Sequence, residues 1–476
     1  MADGYARAGG GIGTALVVPG PGLQNASAGI GTAYSASSPI LVVAGQIQKD
    51  FIGVDRGMLH EINDQMDTIR PVTKWSQRIL DAKDVPETVH EAFYQLKSGR
   101  PRPVEIEIPP ETLEEQDEIE ILEPVNYERP AASAESIQQG ADIIAGASNV
   151  IIWAGGGAIS SKASEPLRKL AEHLQAPVIT TGEGRGALSD RHYLSIGSFR
   201  RSNDPFQEML SESDVILAVG TRFATPEVLN GQKVVQIDID EAEIGRNYEN
   251  TFGIVGDARR TLEELYRIVS TKVPARSSRK EEMEALKAER FDESKQIEPQ
   301  GSFVRAIRAA MPDDGIFIAG MTQIGYYSRS FFPVYEPGTY LTSSYYGNLG
   351  FAYPVALGAK VAKPDTAVVA VSGVGGFLFN SQELATAVQH KINAVVIVFN
   401  DNAFGNVYRD QINRFDGRTI GSELHNPDFV KLAEAYGARG VRADGAEQLE
   451  SKLKEALSIE APTLIEVPVG EMPYPY

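Results

Sequence analysis

Short, wholly apolar runs separated by longer stretches with helical spacing dominate the chain. The clearest are Thr366–Val371 and Ala394–Phe399. Apolar runs without polar alternation are what strands buried on both faces look like. The first run ends in Gly373-Val374-Gly375-Gly376, and the spacing then predicts an amphipathic helix over 377–389. The second run ends in Asn400-Asp401-Asn402. Together they read as a strand–glycine turn–helix–strand unit with parallel strands. Glycines at such a turn let backbone N–H groups approach a phosphate. Polar oxygens at the end of the next strand fall beside that turn, where open parallel sheets bind ligands.

The same alternation recurs along the chain. Strands are expected at 14–18, 40–44 and 103–108, with helices over 23–36 and 84–99. A second set follows, with helices over 134–146 and 162–175 and strands at 149–153, 177–180, 214–219 and 234–240. A third begins with a strand at 315–319 and ends with helices over 428–436 and 446–458 and a strand at 463–469. The acidic, proline-bearing stretch 110–130 reads as a linker, and the charged stretch 271–300 as a linker with a solvated helix. The expected architecture is therefore three doubly wound α/β domains, at 1–115, 131–272 and 301–476.

Composition narrows the function. The net charge is −19 with no basic stretch, which argues against nucleic acid and anionic membranes as partners. No apolar run reaches the length of a membrane span. There are no cysteines, so neither disulfides nor thiolate metal sites arise. A cytoplasmic location is the expectation. Two glycine turns could hold a nucleotide phosphate. The one at 9–13 precedes a strand, not a helix, and fails as a dinucleotide fingerprint. The other, Gly155-Gly156-Gly157, lies in the second domain.

Four motifs occur in order: Met1-Ala2-Asp3-Gly4-Tyr5-Ala6-Arg7, then Gly20-Pro21-Gly22 with Asn25, then Gly347-Asn348-Leu349-Gly350-Phe351, then the glycine turn with Asn400-Asp401. Jointly they resemble the thiamine diphosphate (ThDP) enzymes, in particular the large subunit of acetolactate synthase. The resemblance covers the whole chain and implies pyrimidine-binding, central and diphosphate-binding domains. It implies cofactor contacts from Gly20, Gly22, Asn25, Gly320, Met321, Thr322, Gln323, Gly373, Gly375, Gly376 and Phe404. Leu349 stands where the family places a wedge under the cofactor, and the Gly347 carbonyl where it accepts from the aminopyrimidine. A Mg²⁺ would be held by Asp401 and the backbone carbonyl of Ala403. The family's metal-binding Asp is replaced by Val374, whose methyls are expected to take up ligand space. His60 and Glu61 fall in a region that lines the substrate channel in the family, although a surface loop is an equal reading.

In the family the MADGYAR run is internal. It follows a strand ending in the Glu that bonds the aminopyrimidine. The sequence here begins after that point, so the first domain is expected to be truncated and the Glu absent. Gly220-Thr221-Arg222-Phe223 is similar to a flavin-contacting segment, but Ala224-Thr225 replaces the acidic pair that follows it. The favoured expectation is a central domain without FAD or ADP. What the resemblance implies is cleavage or ligation next to the carbonyl of a 2-oxo acid, in a homodimer or homotetramer. A catalytically impaired relative with an assembly or regulatory role is the alternative. A nucleotide-dependent oxidoreductase built on the central glycine turn is a third, for which no hydride-transfer pocket is evident.

Overall fold

The structure is a computed structural model that describes residues 1–199, 204–224 and 231–475. Thr225 and Tyr476 lie outside them. The apolar runs form strands as their composition dictates. The first sheet contains β1 (Gly13–Val17), β2 (Ile40–Gly45), β3 (Trp75–Arg78) and β4 (Val104–Ile108), in the order β1-β2-β4-β3. The second contains β5 (Val150–Ala154), β6 (Val178–Thr180), β7 (Ser195–Gly197), β8 (Val215–Val219), β9 (Lys233–Asp238) and β10 (Thr251–Val255). Its order is β10-β9-β8-β5-β6-β7. The third runs β12-β11-β13-β14-β16-β15. Its members are β11 (Ile316–Ala319), β12 (Tyr340–Thr342), β13 (Val368–Gly373), β14 (Val395–Asn400), β15 (Arg439–Arg442) and β16 (Thr463–Pro468).

All pairings within these sheets are parallel. The three-layer α/β architecture read from the sequence is thus present in each unit. In the third sheet, β13 and β14 register Val369 against Val395 and Gly373 against Phe399. That register sets the two strand ends, and the turns that follow them, side by side. Apolar cores lie on both faces of this sheet, one including Phe377, Val396 and Phe429, the other Phe317, Val369 and Ile397.

Two expectations are corrected. The single helix over 377–389 is instead two, Val374–Leu378 and Glu383–His390. The break falls at Asn380, whose side-chain amide donates to the Gly350 carbonyl at 2.6 Å. A tertiary hydrogen bond thus replaces helix continuation and ties the break to the 347–351 loop. The charged stretch after 271 is not a wet face throughout. Helix Lys280–Arg290 buries Met283 and Arg290, with Met283 in the second domain's core and the Arg290 guanidinium donating to the Ile196 carbonyl at 3.0 Å. Arg276 likewise donates to the Ser148 carbonyl at 2.7 Å.

The three units meet at Arg7. Its guanidinium donates to the Thr342 carbonyl at 2.7 Å and pairs with Glu183 at 2.6 Å. The Thr342 hydroxyl also donates to Glu183. One residue from each domain therefore shares a buried polar junction.

Candidate active site

Four segments of the third domain converge at the C-terminal ends of β11, β13 and β14. Gly320 ends β11 and starts a turn into helix Gln323–Phe331, with Thr322 at its N-cap. A Cβ on Gly373 would stand 3.4 Å from the Thr322 hydroxyl, so the β11 and β13 turns are in contact. A Cβ on Gly375 would overlap the ring of Phe404, so only glycine fits there. Leu349 lies against Gly376 and is 39% exposed. Gly347 has a φ of +67°, a conformation that favours glycine, and sits against Met321. The Met321 sulfur accepts from the Ser343 hydroxyl at 3.3 Å. Gly320, Met321, Thr322, Gln323, Gly347, Leu349, Gly373, Gly375, Gly376 and Phe404 thus form one wall.

Val374 opens the helix after β13 and is fully buried in the apolar core with Tyr353, Phe377 and Val398. Asp401 caps its own loop, accepting from the Ala403 N–H at 3.2 Å. Burial raises its carboxyl above the usual range, against the backbone N–H groups and Arg409 that pull it down. Asn400 turns away from the site. Its amide donates to Glu466 at 2.8 Å, and its oxygen accepts from Asn426 at 2.9 Å.

The first-domain residues behave differently. The Gly20 N–H donates to Gln65 at 2.8 Å, and a Cβ on Gly20 would overlap the His60 carbonyl. Glu61 is half-buried and accepts from the backbone of Gly57 and Met58 at 2.6 and 2.7 Å, which holds its carboxyl below the usual range. It pins its own loop. Asn25 is exposed on helix Pro21–Ser35. The opposite end of that helix meets the third domain. There the Thr32 hydroxyl donates to Asn348 at 2.5 Å, and the Ser344 hydroxyl donates to the Ser35 carbonyl at 3.2 Å.

A separate cavity of about 500 Å³ opens between the domains, lined by Gly155, Gly220, Arg222, Asp238 and Thr342 among others. The Gly155–Gly157 turn has a packing reason for its glycines. Side chains at 155 or 157 would run into Gly220.

The donor set can be tested against a diphosphate and its metal. Gln323 Oε1, on the β11 turn, is buried without a hydrogen-bond partner. That oxygen is an acceptor; a diphosphate needs donors, which the backbone N–H groups of the glycine turns would supply. Among the described residues no group of three or more His, Cys, Asp or Glu could hold a metal. Asp401 and the Ala403 carbonyl remain. Mg²⁺ sites often use one or two carboxylates, phosphate oxygens and waters, so a metal fits here only together with the diphosphate. Sequence reasoning missed the contact of Gln323 with Asn406 at 2.6 Å; no pattern marks it, because helix Gly405–Arg414 buries no residue.

Comparison with known proteins agrees with this layout. Residues 1–68, 137–265 and 320–467 match the N-terminal TPP binding, central and C-terminal TPP binding domains of thiamine pyrophosphate enzymes. A probable acetolactate synthase large subunit of Methanocaldococcus jannaschii is 35% identical over 98% of this chain and 83% of its own length. The acetolactate synthase isozyme 3 large subunit of Escherichia coli is 32% identical over 96% and 83%. A probable 2-ketoarginine decarboxylase of Pseudomonas aeruginosa is 34% identical over 98% and 84%. With three successive domain matches and such relatives over nearly its full length, the chain belongs to the thiamine-diphosphate-dependent enzymes of the acetolactate synthase type.

Proposed function

We propose that the chain binds ThDP with Mg²⁺ and acts on a 2-oxo acid, by decarboxylation or by joining the product to a second carbonyl. The observation that carries this is the convergence of the β11, β13 and β14 turns with the Leu349 loop on one wall. Relatives named both for synthesis and for decarboxylation leave the acid itself to be assayed. When bound, the cofactor supplies a stabilised carbanion next to the cleaved bond. The chain's part is to hold and orient it. Backbone at Gly320–Gln323 and Gly373–Gly376 cradles the diphosphate. Leu349 would pack against the cofactor, and the Gly347 carbonyl would accept from its amino group. Asp401 and the Ala403 carbonyl hold the metal.

The working unit in this proposal is a homo-oligomer in the cytoplasm. Leu16, Val18 and Leu59 are 77%, 56% and 81% exposed on the first domain, a face that a second copy would cover. No helix among the described residues is long and apolar enough to cross a membrane.

Val374 favours a second reading, an impaired relative, since the metal loses one anionic ligand. Titration calorimetry with ThDP and Mg²⁺ on the parent, Val374→Asp and Asp401→Ala tests both. The parent should bind weakly and only with metal. Val374→Asp should bind about 10-fold or more tighter, and Asp401→Ala at least 10-fold weaker, since even indirect ligand losses cost about 10–100-fold in metal affinity. Because residue 374 is buried, Val374→Asp should also melt lower without ligand and gain more on adding it. Equal affinities in parent and Val374→Asp would place the metal elsewhere.

A further inference from the structure

We propose that the cavity between the domains binds a small organic carboxylate through Arg329, and that this ligand is the acid to which the active site joins its acyl group. The inference rests on the ThDP reading of the adjoining wall. Four arginines line the cavity, Arg100, Arg129, Arg222 and Arg329. Three of them are spent. Arg100 pairs with Glu243 at 2.8 Å and Arg129 with Asp257 at 3.1 Å. Arg222 approaches Glu243 at 3.6 Å and lies over the Tyr345 ring. Arg329 forms no ion pair among the described residues. Its guanidinium donates only to the Met321 sulfur, at 3.8 Å, and a thioether is a weak acceptor.

Arg329 is half-buried and lines a space of about 500 Å³, within the range of about 300–1,000 Å³ usual for small-molecule sites. A guanidinium so placed is suited to a carboxylate, which it meets with charge-assisted hydrogen bonds. Glu183 borders the same space but is committed to Arg7 at 2.6 Å and to the Thr342 hydroxyl. Trp153 and Phe223 add aromatic surface for an apolar side chain. The glycine turn in this cavity offers little to a phosphate. The Gly155 and Gly157 N–H groups already donate to the Val219 and Gly220 carbonyls at 2.8 and 2.9 Å.

Met321 joins the cavity to the cofactor wall. Its sulfur meets Arg329, and its methyl carbon would stand 3.5 Å from a Cβ on Gly347. Thr342, Ser344 and Tyr345 line the cavity and run directly into the Gly347–Leu349 loop. An acid held by Arg329 is therefore anchored at the border of that wall. In a ligation, one 2-oxo acid loses its carboxylate as CO₂. The acyl carbon that remains bonds to the carbonyl carbon of the second acid, whose carbonyl oxygen takes up a proton. Two 2-oxo acids and one proton thus give CO₂ and one 2-hydroxy-3-oxo acid. The second acid keeps its carboxylate throughout. Arg329 suits that acid, because pairing with a carboxylate that must leave would stabilise the ground state and slow its loss.

The test uses the full chain with Arg329→Gln and Arg329→Lys, each checked for the parent's melting temperature. Calorimetry is run with oxamate, an unreactive isostere of pyruvate, with ThDP plus Mg²⁺, and with ADP. Arg329→Gln should bind oxamate about 10-fold more weakly or worse, through loss of a charge-assisted contact. Arg329→Lys keeps the charge without the planar fork, and should fall between while guarding against a folding artefact. ThDP affinity should not change. With ThDP, Mg²⁺ and subsaturating pyruvate, the ratio of 2-hydroxy-3-oxo acid formed to CO₂ released should fall by a similar factor in Arg329→Gln. Oxamate binding that is absent, or equal in parent and Arg329→Gln, overturns the site, as does ADP binding to a parent that ignores oxamate. A parent that forms no ligation product, or a ratio that does not move, overturns the acceptor role. If ThDP fails to bind the parent, the ThDP reading falls, whereas oxamate binding that depends on Arg329 leaves the carboxylate site standing.

Discussion

At the scale of single residues, buried charge is the informative quantity. Glu105 on β4 is fully buried, and neither carboxylate oxygen has a partner. Burial, with the neighbouring Glu107, pushes its carboxyl up to about 9, against the pull of Arg78. Arg78 is spent on Glu107, which also accepts from Gln65 at 2.9 Å and Gln46 at 3.2 Å. The folded state therefore keeps a proton on Glu105 that the unfolded chain releases near pH 4.5. Stability contributed by this group is complete below that pH and is lost as pH rises toward 9. Glu105→Gln should remove the dependence. Its melting temperature should exceed the parent's by about 3 °C or more at pH 8, and the gap should close near pH 5. Melting curves across that range check it, and a pH-independent difference would refute it.

At the scale of elements, contact decides what glycine does. Gly375 and Gly29 illustrate the two cases. A side chain at 375 would displace Phe404 and with it the loop that carries Asp401. Gly375→Ala should therefore lose ThDP affinity by about 10-fold or more, if metal-loop geometry matters as much as other indirect ligand contacts do. Gly29 lies in helix Pro21–Ser35 with open space around it. Gly29→Ala should stabilise by about 0.4–1 kcal/mol by restricting the unfolded chain. Calorimetry reads the first and denaturant unfolding the second. These elements were legible to different degrees. Apolar runs such as Val395–Phe399 announce buried parallel strands, because nothing else in a soluble fold buries both faces so uniformly. The break at Asn380 was not legible, because it depends on the Gly350 carbonyl, distant in the chain. Short β12 and β15 carry too few residues for a pattern. The wall of the site was legible through its glycine spacing and family motifs. The burial of Val374 in the apolar core needed coordinates.

For the whole molecule, the junction at Arg7 couples all three domains. Its side chain is nearly buried, and so is Asp3, which it approaches at 3.4 Å. Removing one partner of a buried ion pair costs about 3–5 kcal/mol, because the other charge stays buried and unpaired. Arg7→Met should therefore lower the melting temperature sharply, whereas the exposed pair Arg191–Asp313 should tolerate Arg191→Met within about 1 kcal/mol. Thermal unfolding of both variants separates a junction from surface decoration. Light scattering at micromolar concentration checks the oligomer, with a species of twice the 51.6 kDa chain mass or more expected.

The Arg7 junction also sets a rule for recombination. A chimera that imports the middle domain of a relative inherits whatever stands at position 183. Where that is a carboxylate, the foreign domain docks onto a guanidinium already waiting at Arg7, and Thr342 finds its acceptor. Where it is not, Arg7 keeps Asp3 and the Thr342 carbonyl but loses its closest carboxylate. The hybrid should then fail even if each module folds well alone. Docking of this chain's three domains thus depends on a three-way seam as well as on the cofactor wall.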